Sequence, residues 1–176
     1  MQKVINLYGG PGTGKSTTAA GVFYKLKTAG VNCEYIQEYA KDKTWEKNNT
    51  PLACQEYIFG KQQYRMFRVS GQVEFIITDS PLLLSTIYTP QNYHLPSLPI
   101  IVREAYNSYD NLDIFLVRQK AYQPAGRNQT FDQAKDIDRQ ILEMLNRQNI
   151  NFHQVAADET AVEQIINLIH NWTTHV

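Results

Sequence analysis

The sequence predicts one α/β domain built on a five-stranded parallel sheet with helices on both faces. Three observations carry that prediction. Apolar runs of strand length alternate with segments of helical periodicity along the whole chain, the pattern of βα units joined right-handedly. A glycine-rich loop, Gly9–Ser16, lies between the first apolar run and the first helical stripe. A third apolar run, Val73–Thr78, is closed by Asp79, at the strand end where open α/β sheets hold their ligands. The 176 residues, 43% hydrophobic and 19% charged, suit a single globular domain, 1–176, with a full core.

Taken in order, Val4–Tyr8 reads as a buried strand, and Ala19, Val22, Phe23 and Leu26 form a helix stripe. Between them Gly9-Gly10-Pro11-Gly12-Thr13-Gly14-Lys15-Ser16 spells G-x-x-x-x-G-K-S, the phosphate-binding P-loop. Gly10, Gly12, Thr13 and Gly14 let the backbone wrap an anion with its N–H groups turned inward. The helix that opens at Lys15, Ser16 and Thr17 presents its positive end to the same anion. Lys15 is expected on the β/γ-phosphates of ATP, and the Ser16 hydroxyl on Mg²⁺.

Gly30 stops that helix, and Asn32–Ile36 reads as the second strand, ending in Gln37-Glu38-Tyr39-Ala40-Lys41. Glu38 thus falls at the ligand crevice, although position alone suits a solvated loop carboxylate equally well. Residues 42–50 read as a polar turn with Trp45 as an isolated aromatic. Thr50 is expected as an N-cap with Pro51 at the first helical position, opening a helix to about Val69. Its apolar positions (Cys54, Tyr57, Ile58, Tyr64, Phe67) keep the helical period imperfectly. Of its polar residues Lys61, Gln62, Gln63, Arg65 and Arg68, most read as solvated surface, with room for one or two to face a substrate pocket.

Gly71 closes that element, and Val73–Asp79 has the Walker B pattern, a buried strand delivering a carboxylate to the Mg²⁺ side of the loop. Ser80-Pro81 is expected to cap the next helix. Pro90, Pro96 and Pro99 mark residues 89–99 as irregular; a helix around 100–109 and a fourth strand, Asp113–Val117, follow. Residues 118–130 carry cations, a proline and a glycine without apolar periodicity and are expected to form a Lid, with Arg127 first and Arg118 second as its phosphate-facing arginine. Thr130 and Gln133 predict a capping box for a helix with Ala134, Ile137, Ile141, Met144 and Leu145 inside. Ile150–Val155 is the fifth strand, and Val162, Ile165, Ile166, Ile169 and Trp172 stripe the last helix as core.

The formal net charge is zero, which argues against a broad nucleic-acid footprint and leaves room for a local patch. Cys33 and Cys54 form no metal-ligand or C-x-x-C spacing and read as reduced thiols in a cytoplasmic protein. No signal peptide or membrane span is expected. The four histidines receive no role.

A guanine-reading N-K-x-D is absent, since Lys120 is followed by Ala121-Tyr122, and 176 residues leave little room for the second helical domain of a ring ATPase. A triphosphate loop, carboxylates after strands two and three, and an arginine-bearing cover after strand four are the parts of a small-molecule kinase.

Gly9–Ser16, Glu38-Tyr39-Ala40-Lys41, Phe59-Gly60-Lys61-Gln62-Gln63-Tyr64, Ile77-Thr78-Asp79 and Gly126-Arg127 together resemble the ribosylnicotinamide-kinase domain of the bacterial NAD-biosynthesis regulator and its relatives, many of them phage-encoded and labelled AAA-type ATPases or nucleotide kinases. The resemblance implies a three-layer P-loop NTPase fold of strand order 2-3-1-4-5 with a short Lid. It implies Glu38 as the base toward the attacking hydroxyl, Asp79 as a Mg²⁺-shell carboxylate and Arg127 on the transferred phosphoryl group. Tyr39, Lys41, Gln62, Tyr64 and Arg65 are implied near the acceptor, and Arg118 near the nucleotide. Lys41 stands where an arginine is usual. Glu38 with Trp45 is also similar to the E-P-x-x-x-W region of deoxynucleoside kinases, with Tyr39 in place of the proline and a longer spacing to the tryptophan. The expected partners are a nucleoside-like or nucleotide substrate, with a homodimer left open. Two alternatives stand beside this: a kinase acting on nucleic acid by way of Arg65 and Arg68, and a nucleotide-dependent switch without a small acceptor.

Overall fold

The computed structural model describes residues 1–119 and 129–174. Five strands, β1 (Lys3–Tyr8), β2 (Cys33–Ile36), β3 (Phe75–Thr78), β4 (Asp110–Val117) and β5 (Phe152–Ala156), form one sheet in the order 2-3-1-4-5. All its pairings are parallel. The helices are α1 (Lys15–Thr28), α2 (Tyr39–Trp45), α3 (Asn49–Ala53), α4 (Gln55–Phe67), α5 (Leu84–Tyr88), α6 (Leu98–Asn107), α7 (Phe131–Arg147) and α8 (Ala161–Thr174).

The period-two pleat of β1 sends alternate residues to two cores. Ile5 and Leu7 join Val22 and Leu26 of α1 and Ile165 and Ile169 of α8. Val4 and Tyr8 join Phe59 and Met66 of α4, Val102 of α6 and Ile141 and Met144 of α7. Both faces of the sheet are covered, so its strands read as near-continuous apolar runs. Register fixes the site: Asn6 and Ile36 both pair with Thr78, which brings the P-loop, Glu38 and Asp79 out at one edge.

The Thr130–Gln133 capping box forms as the sequence predicts. Several expectations are corrected. Residues 42–50 are largely helical: α2 begins at Tyr39 although it buries no residue, because Arg65 pins Asp42 at 2.6 Å and Tyr57 pins the Tyr39 hydroxyl at 2.7 Å from α4. The expected helix over 50–69 is two helices broken at Cys54 (φ −99°, ψ 87°), and its first N-cap is Asn48 rather than Thr50. Pro51 falls third in α3, within the first turn, where a missing N–H leaves no bond unmade. The buried residues of α4 are Gln55, Phe59, Gln62 and Met66, while Tyr64 and Phe67 are exposed. Beyond Ser80-Pro81 the chain makes a turn first, and α5 starts at Leu84.

Candidate active site

The P-loop is shaped by its own backbone and by α7. Gly14 is the N-cap of α1 at φ 100°, a left-handed conformation that a side chain would strain. At Gly10 the limit is space: a Cβ would stand 2.5 Å from the Ala134 carbonyl and 2.8 Å from Asp138 Oδ1. The Gly10 N–H donates to that Oδ1 at 2.5 Å. Within the loop the Thr13 hydroxyl donates to the Gly10 carbonyl at 3.0 Å, and Lys15 Nζ donates to the Gly9 and Gly10 carbonyls at 2.7 and 3.2 Å. Burial lowers the Lys15 pKa, and the charges of Glu38, Asp79 and Asp138 oppose that shift.

Asp138 also receives Arg118. Nε lies 2.9 Å from Oδ2 in a hydrogen bond, and Nη2 lies at the same distance but off a hydrogen-bonding angle. One carboxylate therefore ties the start of the P-loop to the residue that follows β4. Arg118 sits behind the loop rather than on the cavity wall.

Asp79 is 2% exposed. Its Oδ1 accepts the Glu38 backbone N–H at 3.0 Å, and its Oδ2 accepts the Tyr35 hydroxyl at 2.9 Å. Burial, then the charge of Asp79 and the bond to it, drive the Tyr35 pKa up. Asp79 thus acts from beneath the floor, holding the turn that aims Glu38. The Glu38 carboxylate takes no hydrogen bond among the described residues and lines the cavity. Burial raises its pKa above the usual 4.5, with Lys15 pulling it down and Asp79 pushing it up.

The cavity measures about 490 Å³. One side is the phosphate wall: Gly12, Gly14, Lys15, Ser16 and Thr17. The other is mostly apolar: Trp45, Leu52, Ile58, Leu84 and Tyr88, with Gln55 among them. Glu38 and Lys41 stand on its wall as well. Burial and the negative charges of Glu38 and Asp138 raise the Tyr88 pKa.

Several sequence-predicted residues fall elsewhere. Gln62 is buried behind the wall, accepting the Tyr39 N–H at 2.9 Å and reaching the Thr78 hydroxyl at 3.4 Å, so it positions β2's exit rather than touching an acceptor. Tyr64 is 61% exposed on the outer face of α4. Arg65 donates to the Gln37 carbonyl and to Asp42, and Tyr39 packs against Tyr57; neither lines the cavity. Arg127 and most of the expected Lid lie outside the described residues. Sequence reasoning missed Leu52, Gln55, Leu84 and Tyr88. Leu52, Leu84 and Tyr88 signalled only apolar character, which the core shares, and Gln55 gave no sign.

Ser16 and Asp79 suit Mg²⁺ at the loop. A magnesium ion there needs a hydroxyl, phosphate oxygens and waters rather than an all-protein cage. Among the described residues no cluster of three His, Cys, Asp or Glu side chains could hold a metal alone. No described helix is long and apolar enough to cross a membrane.

Sheet order, P-loop and strand-end carboxylates define a P-loop NTPase. A family model described as an AAA domain matches residues 4–164, and the chain belongs to that family. No curated protein matches it. Among solved structures it is similar to the crystal structure of NadR protein in complex with NR, at TM-score 0.76 and 16% identity over 98% of this chain and 52% of that one. The chain therefore spans about half the length of that protein, and the likeness is one of fold.

Proposed function

We propose that this protein is an ATP- and Mg²⁺-dependent kinase that phosphorylates a hydroxyl of a nucleoside-like acceptor. The observation that carries the reading is Glu38. Its carboxylate has no partner among the described residues and stands on one cavity wall with the P-loop and the apolar half. A triphosphate loop, a carboxylate and an apolar wall around one cavity are the parts that transfer to the hydroxyl of a ring-bearing molecule uses. The similarity to a NadR structure with NR bound supports the same reading.

In this reading Lys15 and the loop N–H groups bind the triphosphate and stabilise charge on the transferred phosphoryl group. Lys15 leaves the Gly9 and Gly10 carbonyls to do so. Ser16, with Asp79 behind it, would hold Mg²⁺, which neutralises phosphate charge when bound. The apolar wall orients the acceptor ring, and Glu38 takes the hydroxyl proton at its carboxylate. The carboxylate is suited to this because its raised pKa makes it a better proton acceptor than an ordinary one.

The test is ADP formation across a panel of nucleosides, nucleotides, oligonucleotides and nicotinamide riboside, with Glu38→Gln beside the wild type. We expect acceptor-dependent turnover that falls about 10²- to 10⁴-fold in Glu38→Gln, while ATP affinity changes less than threefold. ADP release that ignores every acceptor, or a Glu38→Gln variant with full transfer, would sink the proposal.

A further inference from the structure

Among the described residues Gln55 and Gln129 are the amides that line the cavity, and the orientation of Gln55 is set by the chain. It follows the break at Cys54, is 8% exposed, and lines the cavity. Its Nε2 donates to the Leu52 carbonyl at 2.6 Å. That bond fixes which way the amide points, because the flipped arrangement would set two oxygens face to face. The backbone is fixed as well, since the Gln55 N–H donates to the Tyr93 hydroxyl at 2.7 Å. Oε1 takes no hydrogen bond among the described residues and is not sealed from solvent. One N–H of Nε2 also remains.

The surroundings make that oxygen selective. Trp45, Leu52, Ile58, Leu84 and Tyr88 form a wall suited to a flat ring. A ring that covers Oε1 without bringing it a proton strips water from a polar atom and leaves it unpaired. Sites that hydrogen-bond a substrate group reject the analogue lacking it far more strongly than apolar contact alone does.

We infer that Gln55 determines acceptor specificity, and that the acceptor carries a planar ring with an N–H donor on its edge, as a carboxamide or amino-heteroaryl edge provides. This rests on the kinase reading only for the claim that the bound ring belongs to the molecule phosphorylated. Gln55 touches the ring and takes no part in proton or phosphoryl transfer.

The experiment compares probes that differ only in that donor: adenosine with purine riboside, and nicotinamide riboside with pyridinium riboside. Binding is read by quenching of Trp45, which is 63% exposed at the cavity, and transfer by kcat/KM, for the wild type and Gln55→Met. For at least one pair we expect a tenfold or greater preference for the donor-bearing probe in both readouts. Gln55→Met should bring the preference to within twofold with ATP affinity unchanged.

Equal binding of both members of each pair by the wild type overturns the inference. So does a preference that survives in Gln55→Met. The wild-type comparison stands even if the variant fails to fold. Donor-dependent binding with no transfer to any probe would remove the kinase reading and leave the subsite standing. Binding of none would remove the subsite.

Discussion

Glu38 illustrates how little of a residue's chemistry lies in the residue. Its carboxylate is aimed by its own N–H on Asp79 Oδ1, and burial raises its pKa from 4.5. In the proposed role of base it works only when deprotonated, so a raised pKa moves the acid limb of activity upward. We expect kcat/KM to fall with decreasing pH through an apparent pKa above 4.5, and Tyr35→Phe, which frees Asp79 Oδ2, to shift that limb. A profile flat down to pH 4.5 would show that Glu38 does not carry the proton.

Among the elements, the break between α3 and α4 matters most to the apolar side of the cavity. Tyr93, in the irregular segment before α6, accepts the Gln55 N–H and donates to the Glu56 carboxylate, and that bond holds the Glu56 pKa down to about 2. Removing the hydroxyl leaves a first-turn donor of α4 without its partner, which costs about 1–3 kcal/mol. Tyr93→Phe should therefore lower stability by roughly that amount in urea unfolding and raise KM for the acceptor more than KM for ATP. Unchanged stability with an unchanged acceptor KM would show that the break is held by something else.

This break also marks where the sequence stopped being readable. The P-loop, the Walker B strand and the capping box were legible because each is a local pattern whose physics is complete within a few residues. The partners at the break are 38 residues apart in the chain. A polar residue such as Gln62 gives no advance sign whether it will line a pocket or, as here, brace a strand end from behind. Gly10 and Asp138, 128 residues apart, show the same limit on the donor side, where the loop was plain and its anchor was not.

At the scale of the whole molecule, Asp113 sets a term in global stability. It lies in β4 at 3% exposure, accepting from Asn6 at 3.1 Å and from the Tyr106 hydroxyl at 2.6 Å. Burial raises its pKa from 3.8 to about 6, against the pull of those hydrogen bonds. A raised carboxylate pKa means the folded state holds the proton that the unfolded state has released. Stability from this group is therefore full below pH 3.8 and is lost as pH rises through about 6, a difference of about 2–3 kcal/mol at neutral pH. Asp113→Asn should remove that fall, so the difference in urea stability between variant and wild type should grow in the variant's favour from pH 4 to pH 7. A difference independent of pH would show that Asp113 titrates normally.

The two walls of the cavity rest on unequal foundations. The phosphate wall grows from β1 and α1, which bury Ile5, Leu7, Val22 and Leu26 in the core. Part of the opposite wall, Trp45 and Leu52, comes from α2 and α3, which bury no residue. Substitutions in α2 and α3 therefore disturb the core little, while those beneath the loop disturb it directly. Over evolutionary time such a molecule can vary what α2 and α3 present to the cavity while its triphosphate loop stays fixed.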